Sequence, residues 1–214
     1  MNIAILLVLA YLIGSIPTAV WVSKWGYGID IREHGSGNAG ATNTFRVLGS
    51  RAGSGVMLGD MLKGFIAVKL AFLSPFVILS EPFVNLQIFL GLSAVLGHIF
   101  PIWAEFRGGK GIATLFGMIL SIHPVVAVSL VLVFFMMLII TRYVSLSSIT
   151  ASIAFPVLIL FIFNAQAQEL SYRLFAIATS FLVVLTHHKN ISRLLHGNEN
   201  KVPLFRKRKM RRHD

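Results

Sequence analysis

The chain has no cysteine, which removes disulfides, a thiolate nucleophile and any thiolate metal site. Charge is also scarce. Only 13% of the residues are Asp, Glu, Lys or Arg, against roughly 25% in soluble domains. With 56% hydrophobic residues, a mean hydropathy of +0.78 and several long apolar runs, that deficit marks an integral membrane protein. Acidic residues are the rarer sign, eight against nineteen Lys and Arg, for a net charge of +11. The cations lie between apolar runs and in the tail Arg206–Arg212, the placement of cytoplasmic loops facing anionic lipid. The aromatics are Phe-rich and sit inside the apolar runs, so they offer no stacking platform for bases, and a nucleic-acid partner is excluded. His34, His98 and His123 are scattered without acidic partners at ligand spacing, so no metal or other cofactor is expected. No hydrophilic stretch is long enough to fold alone. One membrane domain over 1–201 and a basic cytoplasmic tail over 202–214 are expected.

The fold class is all-α, with about seven transmembrane or partly inserted helices. The apolar runs are 3–22, 54–79, 83–104, 112–122, 125–141, 149–163 and 172–186. Residues 112–122 are too short for the ~20 residues of a full span, and His123-Pro124 predicts a turn before a return helix. The alternative is one kinked span over 112–141, which would place 142–148 and the basic tail on opposite faces. The first run lacks a basic leader and a clear cleavage site, so it is read as a retained span. With the N-terminus outside and the C-terminus cytoplasmic, segments 24–63, 105–110, 142 and 189–212 face the cytoplasm. These hold 17 of the 19 Lys and Arg, as the positive-inside rule requires.

That topology places every polar segment with chemical capability on one face: 34–46, 105–111, 142–148 and 187–199. The first, from His34 to Arg46, is the longest polar small-residue stretch in the chain. Gly35, Gly37 and Gly40 free its backbone to expose consecutive N–H groups. Ser36, Asn38, Thr42, Asn43 and Thr44 add hydroxyl and amide donors, and Arg46 a guanidinium fork. No hydrophobic strand precedes it, so the Gly-x-Gly-x-x-Gly match is no dinucleotide fold. Gly108-Gly109-Lys110-Gly111 lacks the Ser/Thr of a nucleotide-triphosphate loop; it is a glycine-flanked lysine opening an apolar helix, which suits anions. Ser145, Ser147 and Ser148 stand at a helix start, either as caps or as the end of a phosphate pocket. His187 and Asn190, three apart, can share a helix face. Asp60 and Lys63, at i and i+3, are expected as a structural ion pair.

In sequence order the chain carries Gly14-Ser-Ile-Pro17; Gly35-Ser-Gly-Asn38 through Gly40-Ala-Thr-Asn43 to Arg46; Asp60 with Lys63-Gly64; Gly97-His-Ile-Phe-Pro101; Gly108-Gly-Lys-Gly-Ile-Ala-Thr114; and His187 through Asn190-Ile191 to Arg193-Leu194-Leu195. This ordered set, over about residues 10–201, resembles the bacterial acyl-phosphate-dependent glycerol-3-phosphate acyltransferases. The resemblance implies a seven-helix bundle in the bacterial inner membrane with its site on the cytoplasmic side. It implies transfer of a fatty acyl group from acyl phosphate to the 1-hydroxyl of glycerol 3-phosphate, giving lysophosphatidic acid and phosphate for phospholipid synthesis. On that footing His187, Asn190, Lys110, Ser36 and Arg46 are the expected catalytic residues. Gly37, Asn38, Gly40, Thr42, Asn43, Gly108, Gly109, Ser147 and Ser148 are the expected phosphate-binding ones. The proton acceptor is either the substrate phosphate or His187, and where many members read His-Arg this chain has His187-His188. The His-x-x-x-x-Asp motif of the other glycerolipid acyltransferase class is absent. The expected partners are the two phosphorylated substrates and the bilayer; a monomer is compatible with all of this.

A small transporter of a phosphorylated solute would fit the interrupted segment 112–141. It is disfavoured because the halves show no inverted repeat and Lys69 is almost the only ionisable residue at mid-membrane. A structural subunit that recruits partners through its basic tail leaves four polar segments on one face unexplained.

Overall fold

The computed structural model describes residues 1–162 and 170–202. The expected connection at 164–171 lies largely outside those residues, as does the basic tail beyond Val202. All regular structure among the described residues is helical. The side chain of Asn2 accepts from Ala4 N at 2.9 Å and starts α1 (Ile3–Gly14). Ser15-Ile16-Pro17 interrupts it, and α2 (Thr18–Tyr27) resumes the same span before Gly28 closes it in the left-handed region at φ 68°. A short helix α3 (Ala41–Leu48) then leads through Gly49 into α4 (Ser50–Lys69).

The second run ends earlier than its hydropathy suggests. Helix α4 gives way after Lys69 to a 3₁₀ turn, Leu70–Leu73, rather than continuing to 79. Ser74 precedes Pro75, which disfavours helical backbone there, and Ser80 then accepts from Phe83 N at 3.4 Å to cap α5 (Glu81–Ile99). Residues 112–141 form two helices, α6 (Ile112–Ile122) and α7 (Pro124–Thr141). His123 caps the second, with Pro124 at its first position. Helix α6 packs against α4, and α7 against α8 (Val144–Val157).

Pro156 inside α8 has no N–H to give the carbonyl of Ser152. That carbonyl accepts instead from the hydroxyl of Ser180 in α9 (Leu170–Thr186), so the proline break becomes a tie between helices. Beyond it the backbone widens into a π turn, Leu158–Ile162. Helix α9 bends by 62° into α10 (His188–Leu195).

Residues 3–27, 81–104 and 124–141 are long and apolar enough to cross a membrane, and the bent pair 170–195 makes a fourth such unit. Helices α6 and α8 are shorter, and α4 carries the buried Asp60 and Lys63. Helix α7 is apolar on both faces: Val126 and Leu130 enter the core with Val95, Met118, Phe155 and Phe175, while Ile140 remains 70% exposed to the lipid side. Close packing of α4 on α6 depends on Gly117, where a Cβ would stand 1.9 Å from the carbonyl of Met61. The N-terminal amine donates to Leu73 O at 3.0 Å, which places the start of α1 and the end of α4 at one end of the bundle. The four polar segments gather at the other.

Candidate active site

The loop before α3 is built around Asn43 rather than left open. Ile31 N donates to Ser23 Oγ at 3.2 Å, fixing the loop's base to α2. Gly35 and Gly37 take left-handed φ values of 63° and 72°, turning the chain back on itself. Asn43 is buried at the centre of that turn. Its Nδ2 donates to Ile31 O at 3.2 Å and His34 O at 2.9 Å, and its Oδ1 accepts from Ser36 N at 2.9 Å and Arg46 at 3.3 Å. Gly37 N and Gly40 N are bonded to His34 O and Asn38 O. The N–H groups of Ser36, Gly37 and Gly40 are therefore spent inside the loop, not offered outward, and Asn43 shapes the loop with its own donors already engaged. The side chains of Ser36, Thr42 and Arg46 stay exposed on its outer side, with Asn38 half-buried.

The second glycine segment departs from expectation in the same way. Gly108 N donates to Ile99 O at 3.1 Å and Gly109 N to His98 O at 3.2 Å, satisfying carbonyls that α5 leaves without helical partners. Their N–H groups are thus spent on packing. A Cβ on Gly109 would lie 2.4 Å from His98 Nε2 and 2.8 Å from Ala39 O, so only glycine lets this loop touch the first one. Beneath the contact, Lys63 Nζ stands 2.8 Å from Asp60 Oδ1 and donates to Ile16 O at 2.9 Å. His98 Nδ1 lies 3.5 Å from the same carboxylate oxygen. All three side chains are buried.

Lys110 emerges from this packing at the start of α6 and donates its Nζ to Asn190 Oδ1 in α10. Burial holds its ammonium down to about 8, with Arg193 and Arg46 pushing the same way against the pull of Glu199. Asn190 Nδ2 donates to Glu199 Oε1 at 2.7 Å. Glu199 also accepts from Ser145 Oγ at 2.8 Å and Arg193 Nε at 2.6 Å, and its side chain is 6% exposed. These bonds keep its carboxyl below the usual range despite burial. Glu199 is the organising residue that sequence inspection passes over. Its one signal is that it is the single acid between 187 and 202, among five Lys, Arg and His neighbours.

The serines of α8 divide differently from expectation. Ser147 and Ser148 donate to Tyr143 O and Val144 O at 2.8 and 3.0 Å, one turn back in their own helix, and do not cap it. Ser145 is the one that reaches the cluster. Just past the α9 span, His187 is 2% exposed, and its Nδ1 donates to Val183 O at 2.8 Å, leaving Nε2 as an acceptor. Burial, and then Lys110, lower its imidazole to about 4, so it is neutral at pH 7. His188 is exposed, with Nδ1 on Leu185 O at 3.0 Å.

Arg46, Lys110, Ser145, His187, Asn190, Arg193 and Glu199 thus form one electrostatically linked cluster drawn from four separate segments. The glycerol-3-phosphate acyltransferase family matches residues 4–197. The chain belongs to that family. A glycerol-3-phosphate acyltransferase of Geobacillus kaustophilus is 44% identical over 199 residues, covering 93% of this chain and 95% of that one. The enzyme of the same name from Bacillus subtilis is 45% identical over 204 residues, with 94% and 98% covered. The crystal structure of PlsY, an integral membrane glycerol 3-phosphate acyltransferase, in its glycerol 3-phosphate form superposes with a TM-score of 0.83 at 40% identity. That match covers 94% of this chain and 95% of the other. The lysophosphatidic acid form of the same enzyme gives 0.80 at 40% identity, with 93% and 94% covered. Membership makes this chain an all-helical integral membrane acyltransferase, and the cluster is where its cationic and polar groups meet.

Proposed function

We propose that the protein transfers a fatty acyl group from acyl phosphate to the 1-hydroxyl of glycerol 3-phosphate, releasing lysophosphatidic acid and inorganic phosphate. The bond between Lys110 and Asn190 carries this proposal. It joins two distant polar segments into a site whose cations outnumber its carboxylates: Arg46, Lys110 and Arg193 against Glu199, which is already held by three donors. Two substrates, each bearing a phosphate, suit that surplus. The chain sits in the bacterial inner membrane with the N-terminus outside and the C-terminus and site on the cytoplasmic side, in line with the positive-inside count.

The reacting centre needs little covalent help, because acyl phosphate is a mixed anhydride with phosphate as its leaving group. The 1-hydroxyl oxygen attacks the acyl carbonyl carbon, and the bond from that carbon to the phosphate oxygen breaks. Lys110, and Arg46 in α3, stabilise negative charge on the departing phosphate. Ser36, Thr42 and Asn38 supply side-chain donors to phosphate at the loop's outer side; Ser36 acts as a donor rather than a nucleophile. Gly37, Gly40, Gly108, Gly109 and Asn43 serve by shaping the loops, and Ser147 and Ser148 by shaping the start of α8. The hydroxyl proton passes to the substrate's own phosphate monoester, whose second pKa is near 6. His187, lowered to about 4, is the weaker base; its Nε2 accepts a hydrogen bond that orients the glycerol. The acyl chain lies in the apolar groove of Leu58, Met61, Leu62, Phe65, Gly117 and Leu120 between α4 and α6, whose α6 lining begins seven residues beyond Lys110. The transporter alternative drew on the interruption of 112–141, which here is a turn between two helices with different packing partners.

Purified protein in detergent or lipid, given acyl phosphate and labelled glycerol 3-phosphate, is expected to form lysophosphatidic acid and phosphate in equal amounts. Acyl-CoA and acyl carrier protein thioesters are the controls. Product from thioesters alone refutes the donor, and no product from any donor refutes the enzyme.

A further inference from the structure

The loop that leads into α3, which carries Arg46, and the loop that carries Lys110 meet directly where Gly109 touches Ala39, and a second link joins them farther out. Asp30 and Arg32 stand at the base of the first loop. Arg32 donates Nε to both Asp30 carboxylate oxygens at 3.0 and 3.1 Å, and its second terminal nitrogen to one of them at 2.7 Å. Lys24 Nζ adds a contact at 3.1 Å from the same carboxylate. This pairing leaves the other terminal nitrogen of Arg32 pointing across to the second loop, where it donates to Ala104 O at 3.0 Å and lies 3.6 Å from Glu105 Oε2. The Arg32 side chain is only 8% exposed, so the fork is fixed by packing as well as by charge.

The carbonyl it holds belongs to an unusual turn. Glu105 and Phe106, neither of them glycine, follow Ala104 with φ of 58° and 57°, a conformation that costs ~1 kcal/mol or more per residue without outside support. That turn delivers Gly108, Gly109 and Lys110. On the other side, Ile31 O, next to Arg32, is one of the carbonyls that Asn43 grips, and Asn43 in turn holds Arg46.

We infer that Arg32 is a positioning residue: it touches none of the cluster's residues and sets the separation of the two loops that present Arg46 and Lys110 to the substrate phosphates. A planar fork is required, because one ammonium cannot grip a carboxylate side-on and reach a carbonyl on the opposite loop. The inference rests on the proposed acyl transfer.

The test is steady-state kinetics of Arg32→Lys, Arg32→Ala, Asp30→Asn and Glu105→Gln beside wild type, with melting temperature in detergent measured for each. Arg32→Ala is expected to lose about 100-fold in kcat/KM for glycerol 3-phosphate and Arg32→Lys about 10-fold, mainly through KM. Asp30→Asn is expected to raise KM severalfold, and Glu105→Gln, which touches only an exposed carboxylate, to stay within twofold. A purely structural role would lower the melting temperature and the active fraction while leaving KM unchanged. If Arg32→Ala does not fold, Arg32→Lys and Asp30→Asn decide: raised KM at near-normal melting temperature supports the inference, and unchanged KM in both overturns it. Wild-type protein that forms no product from any donor refutes the acyl-transfer proposal instead, so the two failures are distinguishable.

Discussion

Two lysines, Lys63 within α4 and Lys110 just before α6, end up inside this protein, and their surroundings are opposite. Lys63 is 5% exposed and closed off: one carboxylate at 2.8 Å, one carbonyl at 2.9 Å, and His98 beside the same carboxylate oxygen. Lys110 has a neutral amide as its bonded partner and two arginines in electrostatic range; the nearby carboxylate, Glu199, is committed to Arg193, Ser145 and Asn190. A buried charge with its counter-ion in place is architecture. One held among like charges at the open end of the bundle is suited to an arriving anion. Ligand preference is thus read from charge balance, since both lysines have a glycine next in sequence and differ in what faces their ammonium groups.

The largest effects should separate these two residues by kind. Lys63→Met leaves Asp60 buried beside an uncharged chain and is expected to cost ~3–5 kcal/mol, seen as loss of folded protein on a gel-filtration profile. Lys110→Met should leave the melting temperature unchanged or higher while lowering kcat/KM by ~10²–10³-fold, the scale of removing one charge-stabilising donor. Next comes Glu199→Ala, which frees Asn190, Arg193 and Ser145 together; a drop in kcat of at least tenfold is expected, with partial recovery in Glu199→Gln because the amide can still accept from Ser145.

A pH titration sharpens the contrast further. Lys110 is held down to about 8, so kcat/KM for glycerol 3-phosphate should fall as pH rises through that value, and Lys110→Arg should abolish the inflection. Stability moves the other way. Between about 8 and 10.5 the unfolded chain keeps a proton that the folded chain has released, so the folded state gains stability as pH rises across that window. The smallest effects belong to Ser147→Ala and Ser148→Ala, whose hydroxyls only back-bond within α8. Changes within twofold in kcat/KM are expected there, against a clear loss of stability for Asn43→Ala, ~1–3 kcal/mol by thermal or denaturant unfolding.

Much of this arrangement was legible from residue order. Run lengths placed the helices, and the His123-Pro124 pair marked the turn that keeps the polar segments at one end. What composition does not encode is which donors remain free. Gly37, Gly40, Gly108 and Gly109 look like N–H cradles, yet their groups are bonded locally because neighbouring carbonyls come within reach once the chain turns. Asn43 reads as a ligand donor and is a buried brace. Glu199 stands beyond the last helix, and Arg32 is one cation among nineteen; each ties its own segment to a distant one through a partner more than 50 residues away, Ser145 for the first and Ala104 for the second. Ser74-Pro75 keeps helical backbone from resuming soon after α4 ends at Lys69, against an apolar pattern that ran on.

The most direct measurement is the affinity of folded protein for glycerol 3-phosphate at pH 7, by calorimetry in detergent, for wild type, Lys110→Met and Arg46→Ala. A loss of tenfold or more in both variants, at unchanged melting temperature, is what an anion site between the two loops predicts. Affinity equal to wild type in both would mean that the surplus charge at this end of the bundle does not hold the substrate, and would contradict the account.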